Sequence, residues 1–263
     1  MLKRELKINL KSFLIWTTVL VSLFLIAFLM YPSIMKSENV QMIDEMIKIF
    51  PEEVLKALNM DISSIDTAFG WLKSEGFIFV LLIIGAYASI LGSNILLKEE
   101  SDKTIEYLNS LPIKRSTILT QKIICAIIYI VLIVITTGIF NYIGLSISGK
   151  FDQKQYLLLS ITPLLSALPL FAITLFISTF FHKTKHTFGI GLGLTLISYF
   201  LQVLSEISET TEFLKLFTVY TLSDVRNVII HTSIDPITII ISLSITSLFL
   251  IGTYLKYNQK ELV

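Results

Sequence analysis

The residues best equipped for chemistry sit at the margins of long apolar runs. Residues 144–151, GLSISGKF, come within one position of the phosphate-binding pattern G-x-x-x-x-G-K-S/T. The last position of that pattern supplies a hydroxyl to Mg²⁺, and Phe151 has none. The glycines there read as relief at a helix end. His182 and His186 stand four apart, a spacing that puts two imidazoles on one helix face. Lys183 and Lys185 between them repel a cation, and no third ligand is near in sequence. Glu99 and Glu100 are adjacent carboxylates of the kind a membrane-embedded hydrolase uses, yet no arginine follows three or four positions later and no second ligand pair accompanies them. A G-x-S-x-G nucleophile elbow is absent. No catalytic, metal-ligating or cofactor-binding residues are therefore expected in this chain.

The elements that hold these residues are set by composition. The chain has 263 residues, of which 54% are hydrophobic and only 16% charged, with a mean hydropathy of +0.77. A soluble domain has about a quarter of its residues charged. Six runs contain no Asp, Glu, Lys or Arg: 12–35, 76–97, 123–149, 155–182, 186–205 and 236–255. At ~1.5 Å rise per residue, each of these runs is long enough to cross a hydrocarbon core ~30 Å thick. An all-α integral membrane protein with six transmembrane helices follows, as a single domain over 1–263. The first run follows Lys3, Arg4, Lys7 and Lys11 as a signal peptide would, but at 24 residues it exceeds the ~7 to 15 of a signal h-region, and Tyr31-Pro32-Ser33 is a poor cleavage site. The one cysteine, Cys125, lies inside the third run and supports no disulfide.

Charge in the loops gives orientation. The N-terminus, 98–122, 183–185 and 256–263 share one side and hold 13 basic and 6 acidic residues; the other side holds 8 basic and 14 acidic. Basic loops mark the cytoplasm, so both termini are expected there, in a plasma membrane. A net charge of +1 gives no general attraction to nucleic acid. Mid-membrane ionisable residues, which ion-coupled transporters keep despite a cost of ~2.5 to 3.5 kcal/mol, are missing from all six runs. Energy for any transport must come from outside these helices.

Residues 2–11, LKRELKINLK, space Leu2, Leu6 and Leu10 four apart, as in a short amphipathic helix lying in the headgroup layer or an ordinary basic flank. The external loop 36–75 sets Val40, Ile43, Met46, Ile47 and Phe50 at helical spacing, and Pro51-Glu52-Glu53 opens a second helix; its acidic face is either solvated surface or an exit gate. The loop 206–235 is apolar enough to dip into the outer leaflet while packed on protein. In the fourth run Pro163 and Pro169 each remove a backbone donor and kink the helix. In the fifth, Gly189 and Gly193 form a small-x-x-x-small pair that lets a helix of this chain or of a second copy approach closely.

Between the second and third runs lies KEESDKTIEYLNSLPIKRST, residues 98–117, with eight charges. Asp102 or Ser101 caps a helix from about Lys103 to Leu111, ended by Pro112, with Ile105, Leu108 and Leu111 three apart on one face. A capped amphipathic helix on a cytoplasmic loop suits docking into a groove of another protein. Here Glu100, Thr104, Glu106, Leu108, Pro112, Ile113 and Arg115, followed by Lys122, resemble the loop motif of the ABC-2 type permeases, membrane subunits of ATP-binding-cassette exporters. Lys103 stands where that family carries glycine, and Asn109 where it carries a second leucine. The resemblance covers nearly the whole chain and extends to permeases of phenol-soluble-modulin-type peptide exporters.

That resemblance implies a permease paired with a second copy or homologue and clasped by two cytoplasmic ATPase subunits, which bind the ATP and Mg²⁺. The helix at 103–111 would be the coupling helix, with Glu100, Thr104, Ile105, Glu106, Leu108, Leu111, Pro112 and Arg115 at the ATPase interface. The expected function is ATP-driven export from a bacterial cell of an amphipathic or hydrophobic substrate, a toxin- or bacteriocin-like peptide first and a drug or lipid-like molecule second. The alternative is a membrane immunity or sensor protein that binds a peptide through its external loop and transports nothing.

Overall fold

A computed structural model describes residues 1–34, 67–105 and 113–260. Most of the external loop 36–75, and Glu106, Leu108, Leu111 and Pro112 of the expected coupling helix, lie outside the described residues. The described chain is helical and contains six helices long and apolar enough to cross a membrane. We number them with the shorter helices between: α1 (Leu2–Ile34), α2 (Ala68–Ile95), α3 (Lys98–Ser101), α4 (Arg115–Ser148), α5 (Gln153–Ile161), α6 (Pro163–Ser178), α7 (Thr184–Ile207), α8 (Val225–His231) and α9 (Pro236–Gln259). The helices α5 and α6 make up the fourth span.

Every span outgrows or shifts its charge-free run. Residues 2–11 are the first turns of α1 itself, which at 33 residues is ~50 Å long and outreaches a hydrocarbon core of ~30 Å. The third span begins at Arg115, eight positions before the run does. It passes through Lys122 because that ammonium is paired and buried.

Among the spans α2 is the most enclosed and α1, α7 and α9 the least, so α2 is the axis around which the others pack. Close packing on α2 rests on small residues. A Cβ at Gly92 would stand 2.5 Å from the Phe171 carbonyl oxygen of α6, which only glycine tolerates. On the α7 side the contact is polar: Thr195 Oγ1 donates to Ser89 Oγ at 2.8 Å and Thr187 Oγ1 to the Ser93 carbonyl at 3.0 Å. Gly191 fits between them, where an added Cβ would stand 3.1 Å from the Ser89 carbonyl oxygen. At Gly189 and Gly193, the pair singled out by spacing, an added Cβ would meet no atom within 4 Å outside their own turn of helix among the described residues. Their close neighbour is thus no described helix of this chain.

The fourth span breaks at Thr162, and Pro163 opens α6. Proline at 163 orphans the Leu159 carbonyl, which Thr162 satisfies with its N–H at 3.2 Å and its hydroxyl at 2.9 Å. Pro169, inside α6, orphans the Leu165 carbonyl, and the donor arrives from another span: Ser242 Oγ of α9, at 2.7 Å. Beyond α7 the chain turns back. Thr218 Oγ1 donates to the Ser198 carbonyl at 2.7 Å, nine residues short of the end of α7, and Tyr220 is buried against α2 with its hydroxyl 3.3 Å from the Leu81 carbonyl. Ser223 Oγ then donates to the Thr162 carbonyl at 2.8 Å, where the fourth span breaks.

Candidate functional site

At the end of the bundle that carries both termini, the link from α2 to α4 begins on buried charge. The short α3 holds Glu99 and Glu100, 3% and 6% exposed. Adjacent positions on a helix point ~100° apart, so the two carboxylates meet different partners. Glu99 receives the Lys122 ammonium of α4 on both oxygens, at 2.9 and 2.8 Å. Lys122 also donates to the Ile95 carbonyl at 2.7 Å and lies 3.4 Å from Glu5 Oε2 of α1. Glu100 receives Lys260 at 2.8 Å on Oε1 and His182 Nδ1 at 2.9 Å on Oε2. Lys260 in turn donates to the Phe181 carbonyl at 2.6 Å, and the Arg115 guanidinium donates to the Lys260 carbonyl at 3.0 Å. Two bonded clusters, joined through the adjacent Glu99 and Glu100 of α3, thus tie together α1, α2, α3, α4, the turn after α6 and the chain beyond α9.

Burying ions costs several kcal/mol each, and only close pairing with satisfied hydrogen bonds offsets it. Burial pulls the Lys260 ammonium below the ordinary lysine range, while its bond to Glu100 pulls the other way. The pairing in this network is uneven. Among the described residues Glu5, 2% exposed, has no partner for its Oε1, and its Oε2 has only the more distant contact to a lysine that Glu99 already holds with two oxygens.

α3 closes in a Schellman turn. The Lys103 N–H bonds the Glu100 carbonyl at 3.3 Å and the Thr104 N–H bonds the Glu99 carbonyl at 2.8 Å, with Lys103 in the left-handed region at φ 56°. Lys103 itself is therefore not right-handed helical, and the rest of the helix expected from about Lys103 to Leu111 lies largely outside the described residues. The turn also explains the glycine that the ABC-2 pattern carries there, because glycine takes this conformation without steric cost. Counted four residues back from that glycine position, the leading glutamate of the motif falls on Glu99, not Glu100. Ile105 is buried against Ile118 and Met1, so the start of the expected coupling segment faces the protein. Arg115 is the first residue of α4 and exposed.

Beside the network lies a cleft of about 550 Å³ between α1, α2 and the start of α7. Glu5, Asn9, Asn94, Lys98, Asp102 and Lys185 line it with apolar residues including Ile8, Ile90, Leu91 and Phe188.

The pairings of Lys122, Lys260 and Glu5 were not foreseen in the sequence, because their partners lie 23, 160 and 117 positions away. A signal does exist. Lys122, Glu99 and Glu5 all fall at the same ends of their spans, where three charges must share one depth.

Six apolar spans closed at one end by a buried ionic hub define a multi-pass membrane protein. The sequence matches the ABC-2 family transporter proteins over residues 1–262, and the chain belongs to that family. No curated protein and no solved structure matches it. Members of this family are membrane permeases of ABC transporters, not themselves catalytic, and work with an ABC ATPase subunit.

Proposed function

We propose that the protein is the transmembrane subunit of an ATP-driven exporter, with the terminal end of the bundle in the cytoplasm and the segment from Glu99 to Arg115 receiving the stroke of the ATPase. The observation that carries this reading is the ionic hub. A force applied to the 98–115 link reaches α1 through Lys122 and Glu5, and the end of α6 through Glu100 and Lys260, by contacts of 2.6 to 3.4 Å. A loop that moved independently of the spans could not transmit such a force.

The cargo in this reading is amphipathic or hydrophobic, a toxin-like peptide before a drug, because the charge-free runs of the spans offer aliphatic, aromatic and hydroxyl side chains, with charge confined to the span ends. The exposed faces of α1, α7 and α9 are available to lipid and to a second permease copy, with the open Gly189 and Gly193 on α7 as the point of closest approach. ATP and Mg²⁺ are held by the ATPase, in two copies. The interface is tested by co-purification from membranes. Leu108→Asp and Arg115→Glu are expected to abolish capture of the ATPase while leaving the permease folded, and retention of the ATPase by both variants overturns the assignment.

A further inference from the structure

The cleft between α1, α2 and α7 has a graded lining. Along the spans, Lys98, Asp102, Thr184 and Lys185 line the part nearest the terminal end of the bundle, Glu5, Asn9 and Asn94 come next, and Ile90, Leu91, Ser12 and Phe188 form the inner part, farthest from that end. Two oxygen acceptors in that wall are buried without a hydrogen-bond partner among the described residues: Glu5 Oε1 and Asn94 Oδ1. Glu5 is 98% buried by its 2% exposure, and a buried charged acceptor without a donor is among the most expensive groups a fold can carry. Its nearest cation does not relieve it. Lys122 binds Glu99 with two short contacts and reaches Glu5 only at 3.4 Å, so two carboxylates share one ammonium.

A ligand that completes this arrangement must bring hydrogen-bond donors and a positive charge to Glu5 and Asn94, and apolar atoms to the inner part. We propose that the cleft binds an amphipathic molecule by its protonated primary amine, with Glu5 as the principal acceptor. The volume of about 550 Å³ falls within the range of small-molecule sites and admits an alkyl or side-chain body behind the amine. As a cargo site the cleft rests on the exporter reading; as a binding site it can be tested without an ATPase.

The test uses the full chain in phosphatidylcholine nanodiscs and radiolabelled dodecylamine, with 1-dodecanol as a neutral probe of the same tail. Saturable binding of dodecylamine in preference to dodecanol is expected for the wild type. Glu5→Gln should weaken the amine by roughly 10- to 100-fold, the value of a charge-assisted hydrogen bond, and leave dodecanol unchanged. Ser12→Trp, which fills the inner part and leaves the ionic network intact, should block both probes. Where Glu5→Gln fails to fold, the amine preference of the wild type and its loss in Ser12→Trp decide the matter. Equal binding of the two probes by the wild type overturns the proposal, as does unchanged amine binding in a folded variant. Nanodiscs that contain phosphatidylethanolamine separate two sources of the amine: competition assigns it to a lipid headgroup, and no competition to a soluble amphiphile. Because no step needs ATP, failure here leaves the exporter reading standing, and failure of ATPase capture leaves this binding result intact.

Discussion

Lys122 is 1% exposed and shared by two carboxylates, so its removal strands more charge than it releases. Lys122→Met is expected to destabilise the protein by about 3 to 5 kcal/mol, the cost of an uncompensated buried charge. Adding Glu99→Gln should recover part of that loss, and a double-mutant cycle on thermal unfolding in detergent measures the coupling. Additive effects of the two substitutions would show that the pair does not interact. At Lys103 the strain is conformational. A non-glycine residue in the left-handed region costs about 1 to 2 kcal/mol, so Lys103→Gly should raise stability by about 1 kcal/mol, seen as a higher unfolding temperature. The same sign is expected for Thr232→Gly, since a β-branched residue at φ 48° caps α8. At this scale the sequence was least legible. It showed that Glu99 and Glu100 lack the companions of a catalytic pair, but a count of charges along the chain cannot reveal which ammonium each carboxylate meets.

At the scale of elements, packing on α2 separates two kinds of glycine. Gly92→Ala drives a methyl into the Phe171 backbone, which has no flexible end to move, and is expected to cost at least 2 kcal/mol or abolish folding, in line with the upper range for overpacking. Gly193→Ala, which meets nothing described in this chain, should leave the stability of the monomer within about 1 kcal/mol of wild type. Thermal unfolding of both variants in detergent makes the comparison; equal losses would contradict the packing described for α2. The spans themselves were legible because hydrocarbon excludes unpaired charge, and each charge-free run finds a helix. Their ends were less so. The third run starts after Lys122, yet the helix starts at Arg115, because buried pairing lets a lysine lie within a span. Pro163 ends a helix, as its missing donor requires, whereas the carbonyl freed by Pro169 is answered by Ser242 some 70 residues on, a contact that periodicity cannot express.

For the whole molecule, the buried ion pairs and their hydrogen bonds bring Glu5 of α1, Glu99 and Glu100 of α3, Arg115 and Lys122 of α4 and Lys260 beyond α9 together at one end of the bundle. The family was legible in the motif from Glu99 to Arg115 because that motif is a contiguous stretch of local sequence. The cleft was not, because its walls come from three spans and its unpaired acceptors are visible only in three dimensions. The central claim is that ATP hydrolysis by a separate subunit, received at the 98–115 link, moves cargo through these spans. The most direct measurement is movement of a labelled amphipathic peptide across vesicles that contain the permease and its ATPase. The account predicts movement that requires ATP and is lost in Leu108→Asp. Peptide that binds the vesicles but never crosses with ATP present, or crosses equally well without it, would contradict the account.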